Sequence, residues 1–221
     1  MMTYPDRTYA GRVLGHHLTH LRAANPLVFG LPRGGVPVAA AVREVIGGAL
    51  DILLVRKLGV PWQPELAAGA IGEGDVRVIN WEVLRQTGLE PSELDEIERV
   101  ERAELRRRRS VWRADAAPIP LTGRTVVIVD DGMATGATVL VACRVARAQR
   151  PARLVVAVPV ASPEAMRRVE AEVDELVCPL VPAALGGVGG AYLDFHQLDD
   201  DEVTELLGSR GPTTFGSGDG S

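Results

Sequence analysis

The stretch Val126–Val139, VVIVDDGMATGATV, decides how this chain of 221 residues is read. Four β-branched apolar residues, Val126 to Val129, have the composition of a buried strand. That strand ends on two adjacent carboxylates, Asp130 and Asp131, followed by small residues and then Thr135-Gly136-Ala137-Thr138. Neighbouring carboxylates repel each other, so the pair needs hydroxyl donors or a cation close by. Vicinal sugar hydroxyls supply such donors, and a hard divalent cation such as magnesium would supply the compensating charge. Beyond them, the turn and helix start offer free N–H groups and the hydroxyls of Thr135 and Thr138. A phosphate monoester suits that cluster, aided by the helix dipole at roughly 0.3–1 kcal/mol. Gly132, Met133, Ala134, Gly136 and Ala137 complete the turn, mostly small residues that let a phosphate approach the backbone. The stretch is expected to cradle a ribose 5-phosphate. A P-loop would need a longer Gly-rich loop ending in Lys-Ser/Thr, and a dinucleotide fold would place its glycines after the first strand.

Outward from this stretch, strands and helices alternate. Arg7 to Arg22 reads as an amphipathic helix, with Ala10, Val13, Leu14, His17 and Leu21 near one face. PLVFG (Pro26–Gly30) reads as a strand, LPRGG as a loop, Val36 to Val45 as a helix and DILLVRK (Asp51–Lys57) as a second strand. This βαβ unit implies parallel pairing. Leu58 to Asp75, rich in Pro and Gly, is expected to be a long mobile loop or a ragged hairpin returning through Val76–Asn80. Pro91 to Trp112 is a charged helix whose RRRR run (Arg106–Arg109) is nearly balanced by acidic residues, so a solvated, salt-bridged face is expected and nucleic acid is not. Ala114–Arg124 is a connector. After the central stretch come a helix (Ala137–Ala148), a strand (Arg153–Val160), a helix (Pro163–Glu172), a strand (Asp174–Leu180) and a short helix from Asp200. The fold expected is an open, mostly parallel α/β sheet with its ligand beyond the carboxyl ends of the strands.

Composition narrows the function classes. The net charge of −5 gives no overall attraction to nucleic acid or an anionic membrane, so any anion site must be local. Cys143 and Cys178 lie in apolar surroundings and read as reduced core thiols. Neither a basic region followed by an apolar run nor an apolar segment of spanning length is seen, and a cytoplasmic location is expected. Lys57 is the single lysine beside 23 arginines among the 24 basic residues. It falls where a compact, flexible ammonium would differ from a planar fork.

A hydrophobic strand, Asp130-Asp131, three residues, then TGAT closely resembles the signature of the type I phosphoribosyltransferases, which bind phosphoribosyl pyrophosphate (PRPP). LPRGG (Leu31–Gly35) resembles their pyrophosphate loop, which implies Arg33, Gly34 and Gly35 as pyrophosphate ligands and a cis peptide at Pro32–Arg33. VRKLGVP resembles the segment opening the catalytic loop of adenine phosphoribosyltransferases, which implies that Arg56 and Lys57 hold pyrophosphate oxygens. GGVGGAYLDF resembles the base-binding region, which implies Val188, Tyr192 and Phe195 at the base, with core packing the alternative for Tyr192 and Phe195, and Asp194 facing pyrophosphate or joining Asp130 and Asp131 at magnesium. The whole resembles a group of bacterial phosphoribosyltransferases with no assigned acceptor. The match spans residues 6–80 and 120–205 as core and small hood, with 81–119 a helical insert in a single domain (1–208) and 209–221 a disordered tail.

The resemblance implies magnesium-dependent transfer of the phosphoribosyl group from PRPP to a nitrogenous base, with release of pyrophosphate, by a homodimer. Ala134 stands where enzymes of 6-oxopurines carry an Asp, so no general base comes from that position; Glu65 and Glu73 are the alternatives. Pro159 and Val160 replace the lysine that reads the purine oxygen, which disfavours a 6-oxopurine. A PRPP- or nucleotide-sensing regulator without turnover, and a hydrolase or phosphorylase of ribosyl phosphates, are the competing readings. His16 and His20 are spaced for metal binding on a helix, but no third ligand is evident. His196, beside Asp194, is a weak further site candidate.

Overall fold

A computed structural model describes residues 3–113 and 116–208, apart from the side chains of Pro64 and Glu65. The start of the expected connector (114–115) and the expected tail (209–221) lie outside the described residues.

Five strands form a parallel sheet in the order β2 (Ala49–Ile52), β1 (Leu27–Gly30), β6 (Thr125–Val129), β7 (Arg153–Ala157), β8 (Glu175–Val177). Parallel strands covered on both faces must be apolar throughout, and Val126 to Val129 are fully buried. Alternation sends Val127 and Val129 to one face. There they meet α1 (Arg7–His17), a 3-10 turn (Thr19–Ala24) and α2 (Gly35–Ile46) through Leu14, Leu21, Val38 and Val42. Val126 and Ile128 face α5 (Ala137–Ala148) and α6 (Pro163–Glu170) through Ala142, Cys143, Ala146 and Val169.

Chain order reverses between β1 and β6, which pair with Gly30 opposite Val129. The loops leaving these two strands therefore start side by side and diverge, the crevice geometry of open α/β sheets. One loop is Leu31–Gly34, and the other begins at Asp130.

Two expectations are corrected. The strand read at Asp51–Lys57 divides at Leu53–Leu54. Its first part is β2, whereas β3 (Val55–Val60) belongs to a second, antiparallel sheet with β4 (Gln63–Gly72) and β5 (Arg77–Ile79). The segment after Leu58 is thus an ordered hairpin, ragged as its composition suggested, with register shifts on either side of Gly59. The first helix also ends early, at His17, before the 3-10 turn.

A short helix, α3 (Trp81–Thr87), which was not anticipated, leads to α4 (Pro91–Trp112). Pro91 opens α4, and the Glu93 carboxylate accepts from the Glu90 N–H. One face of the hairpin sheet packs on α4 and on α7 (Asp200–Gly208) through Leu58, Ile71, Leu94, Leu105, Trp112 and Val203. Its other face meets α5 through Ala70, Val141 and Val145. The C-terminal end of α4 is tied down by Arg113, whose guanidinium is fully buried. It donates to Asp51 at 2.6 Å, to the Ile52 carbonyl at 2.7 Å and to Glu73 at 2.8 Å.

Candidate active site

Asp130 and Asp131 leave β6 half-buried at the crevice. Burial pushes the Asp130 carboxyl well above the usual range, and the like charge of Asp131 adds to this. Burial also raises Asp131, opposed by a hydrogen bond from Arg7 Nε to its Oδ2 at 2.9 Å. Arg7 Nη1 donates to the His196 carbonyl, and the guanidinium lies 3.9 Å from the Phe195 ring centroid. Arg7 is a participant that the sequence reading missed. It opens an amphipathic helix, where an arginine is unremarkable, and its partner lies far away in the chain.

The loop after β1 can approach this pair because Gly34 and Gly35 lack side chains. A Cβ on Gly34 would stand 2.0 Å from Asp131 Oδ2, and one on Gly35 would stand 2.5 Å from the Val129 carbonyl oxygen. The Pro32–Arg33 peptide is cis, as the resemblance implied. Arg33 Nε donates to Asp200 on α7 at 3.0 Å, so Arg33 meets a carboxylate beside the loop. Together with Gly132, whose Cβ would strike Val188 and Val160 at 2.6 and 2.8 Å, these glycines draw three segments around the strand end.

Gly136 adopts a left-handed φ of 74° immediately before α5, a conformation that glycine takes without strain. The turn so formed presents the first N–H groups of α5 to the crevice. Thr135 Oγ1 accepts from the Ala137 N–H at 3.4 Å, and Ser162 Oγ donates to the Ala134 carbonyl at 2.7 Å, which braces the turn from α6. Among the described residues, Arg168 of α6 also reaches this turn, donating to the Thr135 carbonyl at 3.5 Å.

Alongside lies a cleft of about 710 Å³, bordered by Leu31 and Pro32, Arg56 and Lys57 of β3, Thr138 of α5, and Glu101 and Arg108 of α4. Arg56 and Lys57 are neighbours in a strand, so they leave it on opposite faces. Leu58, two residues from Arg56, packs on the α4 side, and Arg56 Nε meets Glu101 Oε2 of α4 at 2.5 Å. Lys57 shares its face with Val55, which packs on Val141 and Val145 of α5. The two cations therefore address different walls of the cleft. A second cavity of about 500 Å³ is bordered by Arg7, Arg33, Gly34, Asp131 and His196, again with Arg108.

Several sequence expectations need correction. Asp194 does not join Asp130 and Asp131, and no group of three metal-ligating side chains occurs among the described residues. Residues 193–194 run alongside Tyr4 and Pro5, with the Asp194 N–H donating to the Pro5 carbonyl, while the carboxylate turns to His196. Tyr192 is 6% exposed, stacked on Phe195 at 5.1 Å, and donates its hydroxyl to the Asp131 carbonyl. It buttresses the acidic turn from within the core, the packing role that the sequence left open for it. Phe195 stays beside the second cavity under the Arg7 guanidinium, and Val188 packs around Gly132. Glu73, a candidate base, is held by Arg113 in the buried cluster beneath α4. The side chain of Glu65 lies outside the described residues. His20 pairs with Glu175.

Geometry of this kind defines a class, and the sequence comparisons agree with it: the phosphoribosyl transferase domain model matches residues 10–194, and the chain belongs to that family. Two Mycobacterium tuberculosis proteins that carry the provisional name phosphoribosyl transferase are 49% identical over 207 residues, which is 94% of this chain and 47% of theirs. The chain thus spans about half the length of the curated relatives it matches. The crystal structure of TT1426 from Thermus thermophilus is similar at a TM-score of 0.88 and 44% identity, covering 93% of this chain and 98% of that one. Among the described residues, no helix is long and apolar enough to cross a membrane.

Proposed function

We propose that the chain transfers the 5-phosphoribosyl group of PRPP to a nitrogenous acceptor and releases pyrophosphate. The observation that carries this is the convergence at one strand end of three elements: the Asp130–Asp131 pair, the Gly136 turn into α5, and the Pro32–Gly35 loop. Asp130 and Asp131 would accept from the ribose 2- and 3-hydroxyls, and the Thr135–Thr138 turn would hold the 5-phosphate. Gly34 and Gly35 with Arg33 would receive pyrophosphate, with Arg56 and Lys57 reaching it from β3.

As the C1–O bond to pyrophosphate breaks and the acceptor nitrogen bonds to C1, positive charge develops on the ribosyl ring and negative charge on the leaving group. Cations placed for the leaving group lower the barrier, and one well-aimed donor is worth about 3–4 kcal/mol. Arg33 and Arg56 would exchange Asp200 and Glu101 for pyrophosphate oxygens. Lys57, on the α5 wall, would meet the substrate from the other side.

Magnesium fits the donor set, because carboxylate oxygens are its preferred ligands and Arg7 pairs with Asp131 alone of the two, while burial disfavours a second charge at Asp130. Bound there with PRPP, it would add positive charge against the leaving group. A nucleobase acceptor, a homodimer and a cytoplasmic location complete this reading, by analogy with the family.

Pyrophosphate release, followed with PRPP, magnesium and a panel of nitrogenous bases, tests the proposal. Lys57→Ala should cut turnover far more than PRPP binding, and release should depend on one class of base. Absence of release with every base, although PRPP binds, would favour the sensing alternative.

A further inference from the structure

The inner face of α4 follows a helical spacing: Leu94, Ile97, Glu101, Leu105, Arg108, Trp112. Leu94, Leu105 and Trp112 are buried in the core under the hairpin sheet, with Ile97 packed against it. Glu101 and Arg108 interrupt this apolar stripe, two turns apart, and both border the larger cleft. Glu101 meets Arg56 there. Arg108 also borders the second cavity, beside Arg33, Gly34 and Asp131. It donates to Glu104 at 2.8 Å, and its guanidinium carbon lies 5.9 Å from the Trp112 ring. Trp112 is fixed in turn by a 3.0 Å bond from Nε1 to Asp200, the carboxylate that pairs with Arg33. The outer face of α4 behaves as a solvated surface, with the exposed Glu96–Arg99 pair as an example.

Resting on the phosphoribosyl transfer reading, we infer that α4 roofs the active site and that Arg108 is a ligand of the leaving pyrophosphate. The guanidinium would exchange Glu104 for pyrophosphate oxygens, where its fork can engage two at once. Placement favours pyrophosphate over the 5-phosphate: Arg108 borders both cavities, with Arg33 and Gly34 in the second and Arg56 and Lys57 in the larger cleft, whereas the Thr135–Thr138 turn reaches only the larger one, through Ala137 and Thr138. Arg108 is one-third exposed, so it can be altered without opening the core. Arg106, exposed on the same helix and bordering neither cavity, serves as the control.

The test titrates inorganic pyrophosphate with magnesium, and separately ribose 5-phosphate, into the full chain and its variants. Arg108→Ala should weaken pyrophosphate about 10-fold or more, as expected for a lost charge-assisted bond, and leave ribose 5-phosphate within twofold. Arg108→Lys should recover part of the loss, and Arg106→Ala should bind both like the unaltered chain. Equal pyrophosphate affinity in Arg108→Ala and the unaltered chain would overturn the assignment of Arg108 alone. So would an equal loss for both probes. An unaltered chain that binds neither probe would instead sink the phosphoribosyl reading itself.

Discussion

Arg7 and Asp131, 124 residues apart in the chain, meet through a 2.9 Å hydrogen bond from Nε to Oδ2. This bond joins the first helix to the acidic strand end, and the same guanidinium holds the segment at Phe195 and His196. Arg7→Ala removes the counter-charge from a carboxylate that is already costly to ionise. Breaking one side of a largely buried pair should destabilise by about 3 kcal/mol, read as a lower urea midpoint. Arg7→Lys should recover less than half. Unchanged stability in Arg7→Ala would mean that the bond holds nothing together.

Asp130 gives a prediction with a defined pH sign. Its native carboxyl titrates well above the usual range, because burial and Asp131 both oppose the charge. Between the ordinary Asp range and that raised value, the native state binds more protons than the unfolded chain. The favourable contribution is therefore complete at low pH and lost as pH rises through the raised value. Asp130→Asn should melt higher than the unaltered chain at pH 7–8, by about 2–4 °C, the scale of one kcal/mol at this size. The gap should close toward pH 4, while PRPP binding falls. A melting point lowered at neutral pH would contradict the sign.

Gly34→Ala tests the close approach of the two loops. The added methyl would stand 2.0 Å from Asp131 Oδ2, so the loop or the carboxylate must shift. PRPP and pyrophosphate affinity should fall at least about 10-fold with overall stability lowered by about 1–3 kcal/mol. Wild-type affinity in this variant would show that the loops need not touch.

Glu101→Gln tests whether the Arg56 partner competes with substrate. The 2.5 Å pair is partly exposed, so stability should change by less than about 1 kcal/mol. Pyrophosphate should bind several-fold tighter, since Arg56 no longer leaves a carboxylate to reach it. Lower turnover at unchanged affinity would point to Glu101 acting on the acceptor instead.

Much of this was legible in residues 126–139, because a strand, a like-charged pair and a Thr/Gly turn are local features with local physical reasons. The positions of β1, α2, α4 and α5 followed from periodicity in the same way. What the sequence hid was tertiary. Arg56 and Lys57 read as one pair until the strand put them on opposite faces. The acid-base balance of α4 describes its outer face, but the spacing of Leu94, Ile97, Leu105 and Trp112 also encodes a buried one. Glu101 and Arg108 complete that stripe, which was the available signal. Tyr192 and Asp194 sit in a segment whose path is set by pairing with residues 4 and 5, and no local pattern reports such a contact.

The acidic pair, the Gly136 turn and the Arg33 loop are expected to bind PRPP together. Calorimetric titration of PRPP into the chain, first with magnesium and then with EDTA, tests it most directly. Saturable binding is expected with magnesium, with proton uptake or release that varies with pH as the Asp130–Asp131 pair ionises, and much weaker binding with EDTA. No heat beyond dilution under either condition would contradict it.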